Sequence, residues 1–236
     1  MATSAKRIIW ISGRPTSGKS WVGDFLLHHH GWHHLDGDEQ QYIQHDSEAV
    51  HLYNQADDIK AAGNPAPPEI WMPYLTNICK QAMKIRCSNL VITRGFHDMV
   101  QAEFVRDWME KEGTKVVFVE LQISDEDFVA RMKLRHRKQA AITGLSMKDF
   151  WETRVRVMEW GEFNEKNEER FIRSLLIGWE DTLDGMEDCF IINSSLAYQH
   201  LVNSLSVVLG LPSVESLDTE GIAEINMQRW KKYKLG

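Results

Sequence analysis

From Gly13 to Ser20 the chain reads GRPTSGKS, which fits the pattern G-x-x-x-x-G-K-[ST] without a gap. Residues of these types at this spacing bind polyphosphate. The backbone N–H groups of such a loop point inward and form an anion nest. The glycines allow backbone angles and a close approach that a side chain would block. Lys19 reaches the β- and γ-phosphates, and the Ser20 hydroxyl ligates Mg²⁺. A helix starting near Lys19 adds the positive end of its dipole. Gly13, Thr16, Ser17, Gly18, Lys19, Ser20 and the following Trp21 form the expected nucleotide-binding set, with ATP and Mg²⁺ as its ligands.

Three further stretches could act on the phosphate or on what receives it. LDGD places Asp36 and Asp38 two residues apart. Alternate residues of an extended segment face the same side, so both carboxylates can face one site. One could serve Mg²⁺ through water, and the other could accept the proton of a substrate hydroxyl. VARMKLRHRK carries Arg131, Arg135 and Lys138 on one helical face, with Arg137 beside them. Such a cluster suits a lid that closes over phosphates, and equally a solvated basic face. TRGF puts Arg94 at the end of what reads as the central strand, where a guanidinium could fork onto an anionic substrate or pair with a structural carboxylate.

The histidine patch HHHGWHH, His28 to His34, is a weaker signal. His28, His29 and His30 end a helix that Gly31 caps, and cationic or polar residues suit that position. Neighbouring histidines on a helix diverge, as do His33 and His34 on a strand, so a shared metal ion is the less favoured reading.

The elements that must position these residues alternate. Apolar runs of strand length occur at 8–11, 32–35, 89–93, 115–121 and 189–193, with helix-like stretches at 19–30, 67–87, 97–112, 125–138 and 195–208. Strands alternating with helices predict an α/β fold, a parallel sheet with helices on both faces, and the continuous apolar strands fit a sheet buried on both sides. From 146 to 185 there is only helical pattern, including a stripe of Phe171, Ile172, Leu175, Leu176, Trp179 and Leu183, which predicts an inserted helical pair. Trp151, Trp160 and Trp179 are expected in the core of that pair. The chain is read as one domain over 1–212, with a tail over 213–236 that is either a short amphipathic helix or a frayed, solvated basic end.

Composition narrows the function classes. A formal charge of -7 gives no overall basic field for nucleic acid. No apolar run is long enough to span a membrane, and the N-terminus lacks the pattern of a signal peptide. Cys79, Cys87 and Cys189 cannot all pair internally; Cys79 and Cys87 could share one helix, two turns apart, too far for a disulfide. All three are read as reduced and the chain as cytoplasmic. An apolar face on the insertion is compatible with a homodimer.

The chain resembles the gluconate kinase group of P-loop small-molecule kinases, relatives of shikimate kinase. DGDE stands where that family has its DGD segment, and Ile59, Lys60, Gly63, Pro65, Pro73 and Leu75 within DDIKAAGNPAPPEIWMPYL match positions of N-I-x-K-M-x-x-G-x-P-L-x-D-x-D-R-x-P-W-L. ISDEDFVARMKLR is similar to the family's strand-to-lid stretch with its R-x-x-x-R pair. The resemblance covers about 7–150 and 189–208. It implies a P-loop NTPase fold with a five-stranded parallel sheet flanked by helices and a mobile lid. It also implies Asp38 near the acceptor hydroxyl, Arg131 near the nucleotide base and Arg135 near the phosphates, leaving Asp36 with Ser20 for the metal ion. The family's G-H-F-M-P after the lid arginines is KQAAITG here, its D-x-D-R has lost the arginine, its third-strand ending differs from TRGFHD, and the insertion has no counterpart.

The expected activity is transfer of the ATP γ-phosphate to a hydroxyl of a small polar acceptor, a sugar acid such as gluconate being one candidate. Lys19, Asp38 and Arg135 are its expected catalytic residues, and Lys60 and Arg94 favour a negative group on the acceptor. A nucleoside or nucleotide kinase and a non-catalytic ATP-binding switch or scaffold are the alternatives.

Overall fold

The computed structural model of the chain describes residues 6–38, 51–52, 55, 59, 64, 66–155, 157–176 and 183–235. Five strands form one parallel sheet: β1 (Arg7–Gly13), β2 (His33–Asp36), β3 (Asn89–Thr93), β4 (Val116–Gln122) and β5 (Cys189–Asn193). Their order is β2-β3-β1-β4-β5. The central strand is therefore β1, and β3, which carries Arg94 just past its end, is its neighbour.

The central strands are buried on both faces, as β1 shows, whereas the edge strand β5 leaves Phe190 and Ile191 exposed, because no element covers the sheet beyond that edge among the described residues. Successive side chains of a strand point to opposite faces. Ile8 and Trp10 enter one core with Tyr74, Leu75 and Ile78 of α2 (Pro68–Lys84) and with Val105 and Met109 of α3 (Met99–Lys111). Ile9 and Ile11 enter the other with Val22, Phe25 and Leu26 of α1 (Lys19–His30). That face is completed by Leu201 and Leu205, which lie on a helix spanning Tyr198–Leu209.

Among the described residues, four helices lie between β4 and β5: α4 (Asp125–Thr143), α5 (Met147–Arg154), α6 (Val157–Trp160) and α7 (Glu165–Ser174). α8 (Tyr198–Leu209) and α9 (Thr219–Leu235) follow β5. Among the described residues of the expected helical pair, 147–174 forms three helices. α7 ends at Ser174 with Leu175 as its cap, while Leu183 packs into the core under the sheet. Helical spacing in sequence did not reveal that the last apolar residue of the stripe serves a different core. Trp151 is buried, and its Nε1 donates to Gly161 O over 3.0 Å, which ties α5 to the turn before α7. Trp160 meets Phe171 edge-on at 5.5 Å. Trp179 lies outside the described residues.

Two other expectations are corrected. α2 stops at Lys84, so Cys87 is not on the helix of Cys79. Lys6 Nζ donates to the terminal carbonyls of Ala82 and Ile85 at 2.5 and 2.6 Å and closes that end. Of the two readings of the tail, the structure shows the helix: α9 docks on α1, and its Ile222 is fully buried with Val22, Phe25 and Leu26. Cys79, Cys87 and Cys189 are unpaired. No helix among the described residues is long and apolar enough to cross a membrane.

Candidate active site

In a parallel sheet of this kind, ligands sit beyond the carboxyl ends of the strands, where strand order reverses. Here that place lies outside β1 between β3 and β4. The GRPTSGKS loop leaves β1 there and enters α1. Gly13, Thr16 and Gly18 all take left-handed backbone angles, φ 133, 63 and 99. A Cβ on Gly13 would stand 2.4 Å from Leu121 O, so only glycine fits. The left-handed Thr16 is held by its surroundings rather than by preference.

The loop leaves polar atoms that an anion would satisfy. Arg14 Nε, Thr16 Oγ1 and Ser17 Oγ are buried and lack hydrogen-bond partners. Buried polar atoms are normally paired, and phosphate oxygens would supply what these lack. Lys19 Nζ donates to Gly13 O at 2.8 Å and Arg14 O at 2.9 Å, folded back over the loop. Burial lowers the Lys19 pKa to about 8; the charges of Asp38 and Asp36 raise it, and those of Arg94 and Arg135 lower it. Ser20 is the second residue of α1. Hard oxygen donors from Ser20 and Asp36 would suit Mg²⁺, which takes one or two protein oxygens together with substrate phosphates.

β2 and β3 run in register, Asp36 opposite Thr93. Gly37 N donates to Thr93 O at 2.9 Å, and the Tyr74 hydroxyl donates to Gly37 O. A Cβ on Gly37 would stand 2.9 Å from Arg94 Cβ, so the turn between the two aspartates is packed tight. Asp38 N donates to Asp36 Oδ1 at 3.1 Å. The Asp38 carboxylate is half exposed and accepts from Arg94 Nη1 at 2.7 Å. Of the two readings of Arg94, the structure records a pairing with a carboxylate, and that carboxylate belongs to the acidic segment itself. The Arg94 guanidinium also lies over the Tyr74 ring at 5.2 Å.

Arg131 and Arg135, the arginines expected to act as a lid, sit on α4. Arg131 donates to Thr16 O at 3.3 Å and to Ser194 O at 2.6 Å, so it bridges the phosphate loop and the loop after β5. Arg135 is exposed. Arg137 turns the other way, onto Glu168 of α7 at 3.5 Å. Arg14 reaches α4 as well, donating to Asp125 Oδ1 at 2.6 Å. α4 extends five residues beyond the expected end at 138, to Thr143, because α5 and α7 cover it: His136 Nδ1 lies 3.0 Å from Glu168 Oε1. Trp21 stacks on Tyr198 with ring centres 4.3 Å apart. Lys60 lies outside the described residues.

The histidine patch divides. Gly31, φ 66, caps α1 and donates to Leu27 O at 3.1 Å, while His28 contacts Asp218 at 3.0 Å. Among the described residues no group of three His, Cys, Asp or Glu side chains could hold a metal ion. His34 instead belongs to a buried network that spacing did not reveal. Its Nε2 meets Thr93 Oγ1 at 2.9 Å and its Nδ1 meets Asp24 Oδ1 at 3.0 Å. Arg229 of α9 donates to Asp24 Oδ2 and, over 3.0 Å, to Asp36 Oδ2. Asp24 interrupts the apolar side of α1, the one sequence signal that it needs a partner.

No family model matches the chain, and no curated protein matches it in sequence. Solved structures do. A sugar kinase from Janibacter sp. HTCC2649 aligns over 88% of this chain and 96% of its own, with 14% identity and a TM-score of 0.51. A shikimate kinase from Bacteroides thetaiotaomicron aligns over 87% of this chain and 99% of its own, with 16% identity and a TM-score of 0.50. A gluconokinase from Sinorhizobium meliloti 1021 aligns over 97% of this chain and 98% of its own, with 15% identity and a TM-score of 0.49. With the strand order and the phosphate loop, the first two show an α/β P-loop NTPase fold.

Proposed function

We propose that the chain is an ATP-dependent phosphotransferase that moves the γ-phosphoryl group of ATP onto a hydroxyl of a small polar acceptor. The observation that carries this reading is the Asp38 carboxylate, half exposed and held by Arg94 Nη1 at 2.7 Å, at the same end of the sheet as the phosphate loop that leaves β1. A nucleotide-binding switch needs the loop and the lysine; a carboxylate base beside them is what transfer adds. The names of the structural neighbours, a sugar kinase and a shikimate kinase, favour the same class.

Phosphoryl transfer asks a protein for positioning and charge rather than covalent help. The loop N–H groups and Lys19 hold the β- and γ-phosphates. Mg²⁺, when bound at Ser20 and Asp36, neutralises phosphate charge. Asp38, half exposed and oriented by Arg94, accepts the proton of the acceptor hydroxyl as its oxygen bonds to the γ-phosphorus and the bond to the β-phosphate oxygen breaks. Arg135, on the helix over the loop, offsets charge on the moving group, and ADP leaves. Arg131 holds the phosphate loop against the loop after β5, where the base would lie. A negative group on the acceptor, as in a sugar acid such as gluconate, would find the Arg94 guanidinium beside the base and Lys60 in the segment before α2.

The test is ADP release from Mg·ATP against a panel of sugar acids, polyols, shikimate-like acids and nucleotides, with Lys19→Ala as blank. Turnover that disappears in the blank supports the reading and names the acceptor class. ATP binding with no turnover across the panel favours the switch.

A further inference from the structure

The acidic segment that the proposed reaction depends on is held from the far end of the chain. Arg229 Nη1 donates to Asp36 Oδ2 at 3.0 Å, across 193 residues of sequence, and Nη2 donates to Asp24 Oδ2. Both carboxylates are buried, with side-chain exposures of 9% and 1%, and Arg229 itself is 11% exposed. A buried carboxylate without a partner is costly, and this one guanidinium serves two. Its planar fork allows that, whereas a lysine ammonium offers a single point of charge. Asn226, one turn earlier on α9, donates to the same Asp24 oxygen at 3.1 Å. The fit extends into α1, where a Cβ on Gly23 would stand 2.3 Å from the His34 ring.

The grip continues toward the chemistry. With Oδ2 taken by Arg229, Asp36 presents Oδ1 to the backbone N–H of Asp38 at 3.1 Å. That bond sets where the chain goes after Gly37, hence where the Asp38 carboxylate stands relative to Arg94 and Lys19.

We infer that Arg229 is a positioning residue of the active site: the C-terminal helix orients Asp36, and through it the Asp38 turn, for Mg²⁺ and the acceptor. This rests on the phosphotransfer reading. It assigns α9 a role in the site that its basic sequence does not announce.

The test compares wild type with Arg229→Gln, Arg229→Lys and Asn226→Ala, all checked for a cooperative melt. In the ligand-free protein, hydrogen exchange at the Asp38 amide should quicken by about tenfold in Arg229→Gln, while amides within β1 keep their protection. ATP affinity without Mg²⁺ should change little, and the gain in affinity on adding Mg²⁺ should fall by about tenfold, the usual cost of losing a group that orients a metal ligand. Arg229→Lys, which keeps the charge but not the fork, should fall between; wild-type values there would reduce Arg229 to a counter-charge and overturn the inference. If Arg229→Gln does not fold, Arg229→Lys decides alone. Asn226→Ala touches Asp24 only and should retain the Mg²⁺ gain. An unchanged Asp38 amide, or a Mg²⁺ gain that rises when the competing cation is removed, would also overturn it. A wild-type protein that binds no ATP sinks the phosphotransfer reading separately, and the Asp38 amide still reports the grip.

Discussion

Arg94 donates from Nη1 to Asp38 Oδ1 over 2.7 Å, a nearly buried cation holding a half-exposed carboxylate. The pair joins the end of β3 to the turn after β2, on the side of the sheet where Lys19 lies. A carboxylate held this way is oriented yet reachable by an acceptor.

Asp38→Asn keeps the shape and the contact to Arg94 but removes the base. ATP affinity should remain near wild type, and the rate of transfer should fall by about 10²–10⁴-fold, the usual range for a general base. Equal turnover by the variant and the wild type would remove Asp38 from the role.

Lys19→Ala removes the ammonium that bridges the phosphates. Turnover should drop by at least about 10²-fold, with weaker ATP binding measured by calorimetry. Normal turnover would reject the loop as the phosphate site.

The Lys19 pKa, lowered by burial to about 8, gives a pH signature. Phosphate binding needs the charged form. As pH rises through 8 the free protein loses that proton, so ATP affinity should weaken by up to about tenfold per pH unit. Below pH 8 it should be flat. ATP binding near pH 8 to 9 should take up a proton, visible as a dependence of the binding heat on the buffer. For stability the sign is opposite: the folded state binds fewer protons than the unfolded one between 8 and 10.5, so Lys19 makes the ligand-free fold relatively more stable as pH rises across that window. A constant ATP affinity from pH 7 to 10 would refute the depressed value.

His136→Ala should destabilise the chain by about 3 kcal/mol, because Glu168 on α7 is wholly buried and would keep only the longer contact to Arg137. Glu168→Gln, which removes the charge along with the pairing, should cost less. Denaturant melts of the two variants check the order; a reversed order would mean that the pair does not brace α4 against α7.

Gly23→Ala tests the packing of His34 against α1. A methyl group there meets the imidazole ring at 2.3 Å, and overpacking of this kind costs about 1–3 kcal/mol. Gly113→Ala, at a turn where a Cβ meets nothing, probes only its positive φ. A Gly23→Ala melt equal to wild type would mean that His34 can move aside.

The five strands and the phosphate loop were legible because their causes are local. A run such as Ile8–Ile11 is apolar at every position because it lies inside a sheet covered on both faces, and the pattern survives without knowing what covers it. GRPTSGKS carries its own backbone angles in its glycines. The LDGD spacing likewise put Asp36 at the end of β2 with Asp38 just past it, and the helix that carries Arg131 and Arg135 was readable from its pattern.

Partnership was not legible. Nothing in the spacing of Asp24, His34, Thr93 and Arg229 relates them, since they meet only after β2 and β3 pair and α9 folds back onto α1. The same holds for Leu183, which ends a helical stripe in sequence and joins the sheet core in space, and for Glu168, an ordinary charge on a helix until α4 brings His136 against it. Sequence by itself determined the sheet, the phosphate loop and which side chains could do chemistry, because backbone geometry and hydrophobic period act between near neighbours. Tertiary structure alone decided which charges compensate one another, because a buried ion pair is set by distance in space, and in this chain Asp36 and Arg229 are brought to 3.0 Å from opposite ends of the sequence.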